Sequence, residues 1–189
     1  PVGFSNMDKA GLLIEGYDEL NTMITWYHYP YQKEHLNKLG FSKLAEWVEY
    51  KIKIFSAEEA PEKVRKFSKI VQERYNLKVV NFKSTKEIIP YVDKMFELLN
   101  VTYSNLQTYV TIKQYQIDFY KEKFIKYIHP DFIKCCLDEN YNLIAFLITM
   151  PSFSRALKKI NGKIGLMGYF HLFKAQYFND RVSLYLIGV

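Results

Sequence analysis

The chain has 189 residues, of which 49% are hydrophobic and 17% aromatic, enough for one domain of ordinary size or for parts of two. This composition excludes a disordered chain. The longest predominantly apolar run, Leu143 to Met150, is far shorter than the roughly 20 residues that a membrane helix needs. The net charge of +6 favours solvated basic helix faces, then an anionic ligand, and last nucleic acid, because zinc-finger spacings and RNP motifs are missing from the sequence.

The opening segment predicts short strands followed by a helix. Gly11 to Glu15 and Asn21 to Tyr27 are the strand candidates. Pro30 favours the start of a helix, because its missing N–H is not needed in a first turn, and Gly40 is a natural stop after Leu39.

Residues 46–54 alternate between apolar and polar side chains, which predicts a strand with one buried face. The apolar set is Val48, Tyr50, Ile52 and Ile54. A polar stretch follows and ends at Pro61, so we place a linker at residues 57–61.

The next elements are a helix, a strand and a second helix. Pro61 to Tyr75 carries an apolar stripe at helical spacing, and Leu77 to Phe82 is a strand candidate. Ser84 to Glu87 has the form of a capping box, but Pro90 conflicts with it. The sequence therefore predicts either a separate first turn or a helix that begins near Ile88 and continues to about Asn100.

The remaining elements end in a strand. Thr111 to Ile128 predicts a helix, with a capping box formed by Thr111 and Gln114. The other predicted elements are strands at 131–137 and 143–150 flanking a hairpin turn at 138–141, helices at 154–160 and 166–178, and a last strand at 182–189. Lysines recur on these stretches: Lys113, Lys121, Lys123, Lys126, Lys158, Lys159 and Lys163.

Two parts of the chain resemble a known family. Tyr31 to Phe41 ends in Leu-Gly-Phe and, with the 46–54 strand, resembles the last helix and closing strands of a GNAT acyl-CoA N-acyltransferase domain. From Leu77 onward, the order of strands and helices resembles the first half of the same fold. Shorter motifs resemble a group of bacterial two-repeat GNAT-like proteins: Gly3-Phe-Ser5, Gly11 to Asp18 and Tyr29-Pro-Tyr31.

The resemblance implies an α/β (α+β) fold with a mixed, mostly antiparallel sheet flanked by helices. Residues 1–56 would be the end of one GNAT-like half, and residues 62–189 the front of a second half that lacks the turn binding CoA pyrophosphate. Because Pro1 is not an initiator methionine, the chain reads as an interior piece of a longer protein. Leu36 stands where many GNAT enzymes have a tyrosine that protonates the CoA thiolate, so the first half is expected to lack that acid.

The implied activity is transfer of an acyl group from acyl-CoA, such as acetyl-CoA, to a small-molecule amine. The runner-up is a non-catalytic GNAT-like ligand-binding or interaction protein. The resemblance identifies no catalytic residue, and it places the pantetheine arm of CoA along the last strand, on Tyr185, Leu186, Ile187, Gly188 and Val189. An ordinary buried strand is the alternative for these residues.

An acidic and aromatic group lies in the opening segment and could hold the amine by charge and cation–π contact. Its members are Asp8, Glu15, Asp18, Tyr27 and Tyr29. Paired carboxylates could also act as an acid and a base or hold a metal, and turn capping explains the same residues without a ligand.

Neither the histidines nor the cysteines predict a reactive site. The four histidines have no metal-ligand spacing, so no metal is expected. The adjacent Cys135 and Cys136 predict a buried, reduced pair in a cytoplasmic protein. Neither nucleic acid nor a membrane is expected as a partner.

Overall fold

The computed structural model describes residue 8 and residues 11–107, 109–124 and 129–189. These residues form a mixed α/β structure with six α-helices and one four-stranded antiparallel sheet. The elements in chain order are α1 (Pro30–Lys38), α2 (Glu62–Arg74), β1 (Lys78–Asn81), α3 (Thr85–Tyr103), α4 (Gln114–Phe124), a 3₁₀ turn (Pro130–Phe132), β2 (Ile133–Leu137), β3 (Leu143–Pro151), α5 (Ser154–Ile160), α6 (Leu166–Tyr177) and β4 (Val182–Gly188). The strand order in the sheet is β1-β2-β3-β4.

The chain divides into two compact units. The first contains residues 1–44, 103–111 and 149–185, and the second contains residues 45–102, 112–148 and 186–189. Each unit collects segments that are distant in sequence. The predicted linker at residues 57–61 stays a prediction.

The second unit holds most of the buried side chains. Val80 of β1 pairs with Cys135 of β2, which in turn pairs with Phe146 of β3. The buried positions of β2 alternate along the strand, as expected for a sheet with one covered face. On α3 the buried side chains recur at helical spacing: Ile88, Val92, Met95 and Leu99.

Polar contacts join α3 to α4 and the segment before it. The side-chain amide of Asn100 accepts a hydrogen bond from the Ile112 backbone N–H (2.9 Å) and donates one to the Ile112 carbonyl (3.1 Å). Lys121 lies 2.6 Å from Asp93, and this hydrogen bond lowers the pKa of Asp93 below its usual value. These contacts fix the register between the two helices.

In the first unit, α5 and α6 pack as a helical hairpin. α5 ends at Asn161 and Gly162, which both adopt positive φ (51° and 76°). Gly168 of α6 faces Ile160, where an added Cβ would lie 3.6 Å from the Ile160 side chain. The small residue lets the two helices approach closely.

Several predictions are confirmed, and others are wrong. The six helices lie close to their predicted positions, and the hairpin turn follows β2, where Asp138 Oδ1 accepts hydrogen bonds from the amides of Asn140 and Asn142. The predicted helix at 111–128 runs past the end of α4, and residues 125–128, including Lys126, lie outside the described part of the chain. The Gly3-Phe-Ser5 motif also lies outside it.

The predicted strand at residues 46–54 is wrong. The structure assigns no strand there, and Val48, Tyr50, Ile52 and Ile54 are all exposed. Alternating hydrophobicity forms a strand only where another strand can pair with it, so the pattern is not sufficient alone. The strand candidates at 11–15 and 21–27 are also not strands.

The capping box at Ser84 and the position of Pro90 gave conflicting predictions for the start of this helix. In the structure α3 is one continuous helix. Pro90 lies inside α3, between the buried side chains of Ile88 and Val92, whose burial outweighs one missing amide donor. Glu87 accepts a hydrogen bond from the backbone N–H of Lys83, one residue before the predicted position. At α4 the Gln116 side chain, rather than Gln114, caps the amide of Lys113.

Candidate ligand-binding site

β4 lies at one end of the sheet and has β3 as its neighbouring strand. Next to this strand, the Ser152 N–H donates a hydrogen bond of 2.9 Å to the Arg181 carbonyl. In a regular antiparallel ladder every second residue turns its backbone groups toward the same neighbour. Each residue of β4 therefore directs its backbone N–H and C=O groups either to β3 or to the outer edge of the sheet. The burial pattern changes phase between Tyr185 and Leu186, so β4 does not follow one regular alternation along its length.

A glycine is needed at position 188 for packing. Gly188 is buried, and a Cβ added there would lie 2.5 Å from Cε1 of Phe146, far inside the normal contact distance. The Phe146 ring therefore covers the place where a side chain would stand. The glycine that we assigned to pantetheine contact has a structural reason to be there whether or not a ligand binds.

Exposure to solvent differs among the residues predicted to contact pantetheine. Ile187 and Val189 are exposed, whereas Tyr185 is partly buried, and burial raises the pKa of its hydroxyl. Tyr185 is therefore a neutral phenol across the physiological pH range and a hydrogen-bond donor rather than an anion.

The start of β4 is held by a compact polar cluster. The Asn179 side chain donates to the Ser152 carbonyl and accepts a hydrogen bond from the Arg181 N–H (2.9 Å). Arg155 of α5 lies 3.5 Å from Asp180. These contacts fix where β4 begins.

Within the acidic and aromatic group, the structure brings the tyrosine rings together. The rings of Tyr27 and Tyr29 meet edge to face with centroids 5.6 Å apart, and Tyr29 stacks on Tyr31 at 6.0 Å. Asp8, Glu15 and Asp18 are all exposed.

Backbone contacts explain much of the same segment. Nδ1 of His28 accepts a hydrogen bond from the Leu13 N–H (3.2 Å), and the Tyr17 hydroxyl donates to the Leu13 carbonyl (3.1 Å). His28 and Tyr17 thus close the loop that carries Glu15. Among the described residues, no three His, Cys, Asp or Glu side chains converge as metal ligands would.

The Leu-Gly-Phe sequence forms the stop of α1. The Gly40 N–H bonds to the Asn37 carbonyl and the Phe41 N–H to the Leu36 carbonyl, while Gly40 has φ = +83°. This double bonding pattern is a Schellman motif, which terminates many unrelated helices. The Leu36 side chain is half-buried and has no group that can donate a proton.

The fold and this strand define a mixed α/β protein whose four-stranded antiparallel sheet ends in β4. The chain matches no protein-family model, and comparison with curated proteins and with solved structures finds no significant similarity. No helix in the described ranges combines the length and the apolar character that crossing a membrane requires.

Proposed function

We propose that this protein binds acyl-CoA along the open edge of β4 and transfers its acyl group to a small-molecule amine. The edge position of β4 carries the proposal. An edge strand presents main-chain donors and acceptors with which an extended ligand can pair like an added strand. The amide groups of a pantetheine arm suit this mode of binding.

The order of the elements also supports the proposal. From β1 to β4 the chain runs strand, two helices, two strands, two further helices and a strand. This is the order that the resemblance to the GNAT fold implies for the front of such a domain. The acceptor amine would be held by Tyr27 and Tyr29, whose exposed rings offer cation–π contact, with Asp8, Glu15 and Asp18 supplying negative charge.

In this mechanism the amine attacks the thioester directly, and the protein positions the two substrates and accepts a proton from the incoming ammonium group. The N–C bond forms as the C–S bond breaks, and the thiolate leaves with a proton. No metal takes part. A cytoplasmic location belongs to the proposal, since both cysteines are free thiols.

The test exchanges single residues of β4 for proline. Proline is introduced in turn at Tyr185, Leu186 and Ile187. Where the lost N–H faces the outer edge, acetyl-CoA affinity should fall about tenfold, as for loss of one to two hydrogen bonds, while stability changes little. Where the lost N–H bonds to β3, the melting temperature should fall instead. Calorimetry with acetyl-CoA and thermal unfolding followed by circular dichroism measure the two effects.

The same experiment separates the alternatives. Heat of binding without release of free CoA thiol in the presence of amines would favour a non-catalytic ligand-binding protein with this fold. Unchanged acetyl-CoA affinity in every proline variant that keeps its melting temperature, or no heat at millimolar acetyl-CoA, would refute the edge-binding proposal.

A further inference from the structure

The outer surface of the α5–α6 hairpin combines positive charge with exposed apolar side chains. Residues 151–178 contain no Asp or Glu. Their basic residues are Arg155, Lys158, Lys159, Lys163 and Lys174. In a chain with 26 basic and 20 acidic residues, this separation of charge marks the hairpin as a surface for an anionic partner.

The apolar side chains of α6 form a stripe that faces solvent. Leu166, Phe170, Phe173 and Tyr177 recur at helical spacing, and all are more than half exposed, Leu166 by 92%. The opposite face of α6 contains the buried Gly168, which packs against α5. The helix is therefore anchored by its small residues and presents its large ones outward.

The rings of the stripe already touch one another. Phe173 lies 4.8 Å from Tyr177 and 6.5 Å from Phe178, measured between ring centroids. A contiguous cluster of this kind differs from the isolated apolar side chains found on any protein surface, and it marks an interaction site.

The basic residues lie on the neighbouring helix of the same unit. Arg155, Lys158 and Lys159 line an open depression of ≈ 520 Å³ on α5. The charge of Arg155 is partly balanced by Asp180, which lies 3.5 Å away, whereas Lys158 and Lys159 are exposed. Lys174 extends the positive charge to α6 itself.

We propose that the α5–α6 hairpin docks on a bilayer surface that contains anionic lipids. The apolar stripe of α6 would enter the boundary between headgroups and acyl chains, and the lysines of α5 would contact the headgroup phosphates. The hairpin supplies the two components that such docking uses, an exposed apolar surface on α6 and exposed basic residues on α5. Such docking needs no spanning helix; it departs from the expectation that a membrane is not a partner, and it is independent of acyl transfer.

Co-sedimentation of the full chain with vesicles tests this proposal. The protein should pellet with vesicles of phosphatidylcholine mixed with phosphatidylglycerol, and much less with phosphatidylcholine alone. Lys158→Glu with Lys159→Glu should weaken binding by about tenfold or more, because each lysine near an anionic surface contributes roughly fivefold in affinity. Phe170→Ser with Phe173→Ser should weaken binding to a similar extent through the apolar stripe.

Matched changes on α2 provide the controls. Lys63→Glu with Arg65→Glu makes the same charge change at exposed positions, and Phe67→Ser removes an exposed ring. Both should leave vesicle binding within about twofold, since neither lies on the hairpin. Circular dichroism melts verify that every variant is folded.

Three results would overturn the proposal. The unaltered protein could stay in the supernatant with anionic vesicles, the α2 controls could weaken binding as much as the hairpin variants, or soluble inorganic phosphate could abolish pelleting. Binding of single-stranded DNA or an acidic polypeptide without vesicle binding would assign the hairpin to a different partner and equally overturn it.

Discussion

Gly188 belongs to the candidate site, but packing alone explains why a glycine occupies this position. Gly188 is part of the last strand, and the Phe146 ring fills the space where its side chain would stand. A substitution at this position therefore tests packing first, and a loss of ligand binding in the variant is not evidence of ligand contact.

Gly188→Ala should destabilise the protein by about 1–3 kcal/mol, because the new Cβ overlaps the Phe146 ring. Gly165→Ala is the control, since nothing lies within 4 Å of its added Cβ and its φ is negative. Combining Gly188→Ala with Phe146→Leu should recover part of the loss. Urea unfolding measures all three, and equal effects at positions 188 and 165 would contradict the packing explanation.

Cys135 is the most perturbed titratable side chain among those described. Burial raises the pKa of its thiol from 9.0 to about 12, with the neighbouring Cys136 adding a smaller effect. Cys135 is 1% exposed, so the burial predicted for the pair holds for this residue, whereas Cys136 is only partly buried. Cys135 is therefore a poor nucleophile in the folded protein, because the thiolate is the reactive form.

Stability should fall as the pH rises from about 9 toward 12, because the unfolded state releases the Cys135 proton while the folded state retains it. Below pH 9 this contribution to stability is fully present. Cys135→Ala should flatten the decline, and Cys136→Ala should do so less, because Cys136 is less deeply buried. Denaturant titrations across this pH range check the prediction; identical slopes for all three proteins would contradict it.

At the scale of elements, a single side chain links the end of α3 to the segment before α4. Asn100 pairs with both backbone groups of Ile112, whose side chain is also buried. The Asn100 side chain satisfies the backbone N–H and C=O of Ile112, as a neighbouring strand would. The irregular segment around Ile112 can therefore lie in the core. The sequence offered no signal for it, because an asparagine near the end of a helix is equally typical of a cap.

Asn100→Ala should cost about 1–3 kcal/mol, since it leaves the buried amide and carbonyl of Ile112 without this partner. Asn100→Asp retains the acceptor for the Ile112 N–H but loses the donor, so its effect should differ. Hydrogen exchange at the Ile112 amide reports the contact directly. Unchanged exchange in the alanine variant would show that the amide is protected by another group.

At the scale of the whole chain, apolar side chains are distributed unevenly between core and surface. Most of the buried ones described belong to the second unit, whereas the apolar stripe of α2 is exposed although it has ideal helical spacing. Helical periodicity therefore predicted α2 correctly but not the burial of its face.

Ile88→Ala should destabilise the protein by about 2–5 kcal/mol, because the side chain is fully buried on α3. Phe67→Ala on α2 should change stability by less than about 0.5 kcal/mol, since the ring already contacts water. Thermal unfolding of both variants compares them. A large loss of stability in Phe67→Ala would mean that the Phe67 ring packs against another surface in solution.

The sequence alone determined the features that depend on neighbouring residues. Helices α1 to α6 were predicted from periodicity, proline, glycine and capping residues, and the hairpin after β2 from its turn chemistry, because these signals act within a few residues. The same local reasoning failed at residues 46–54, where a strand needs a partner from elsewhere in the chain.

Only the tertiary structure decided the features that join distant segments. The neighbour of β4, the ring over Gly188, the pairing of Asn100 with Ile112 and the outward stripe of α6 each depend on which segments meet. Long-range contacts leave no fixed spacing in a sequence, since the loops between them vary in length at little cost in free energy. The candidate site was therefore predicted as a strand with exposed backbone groups, but its place at the end of the sheet became known only once the sheet was assembled.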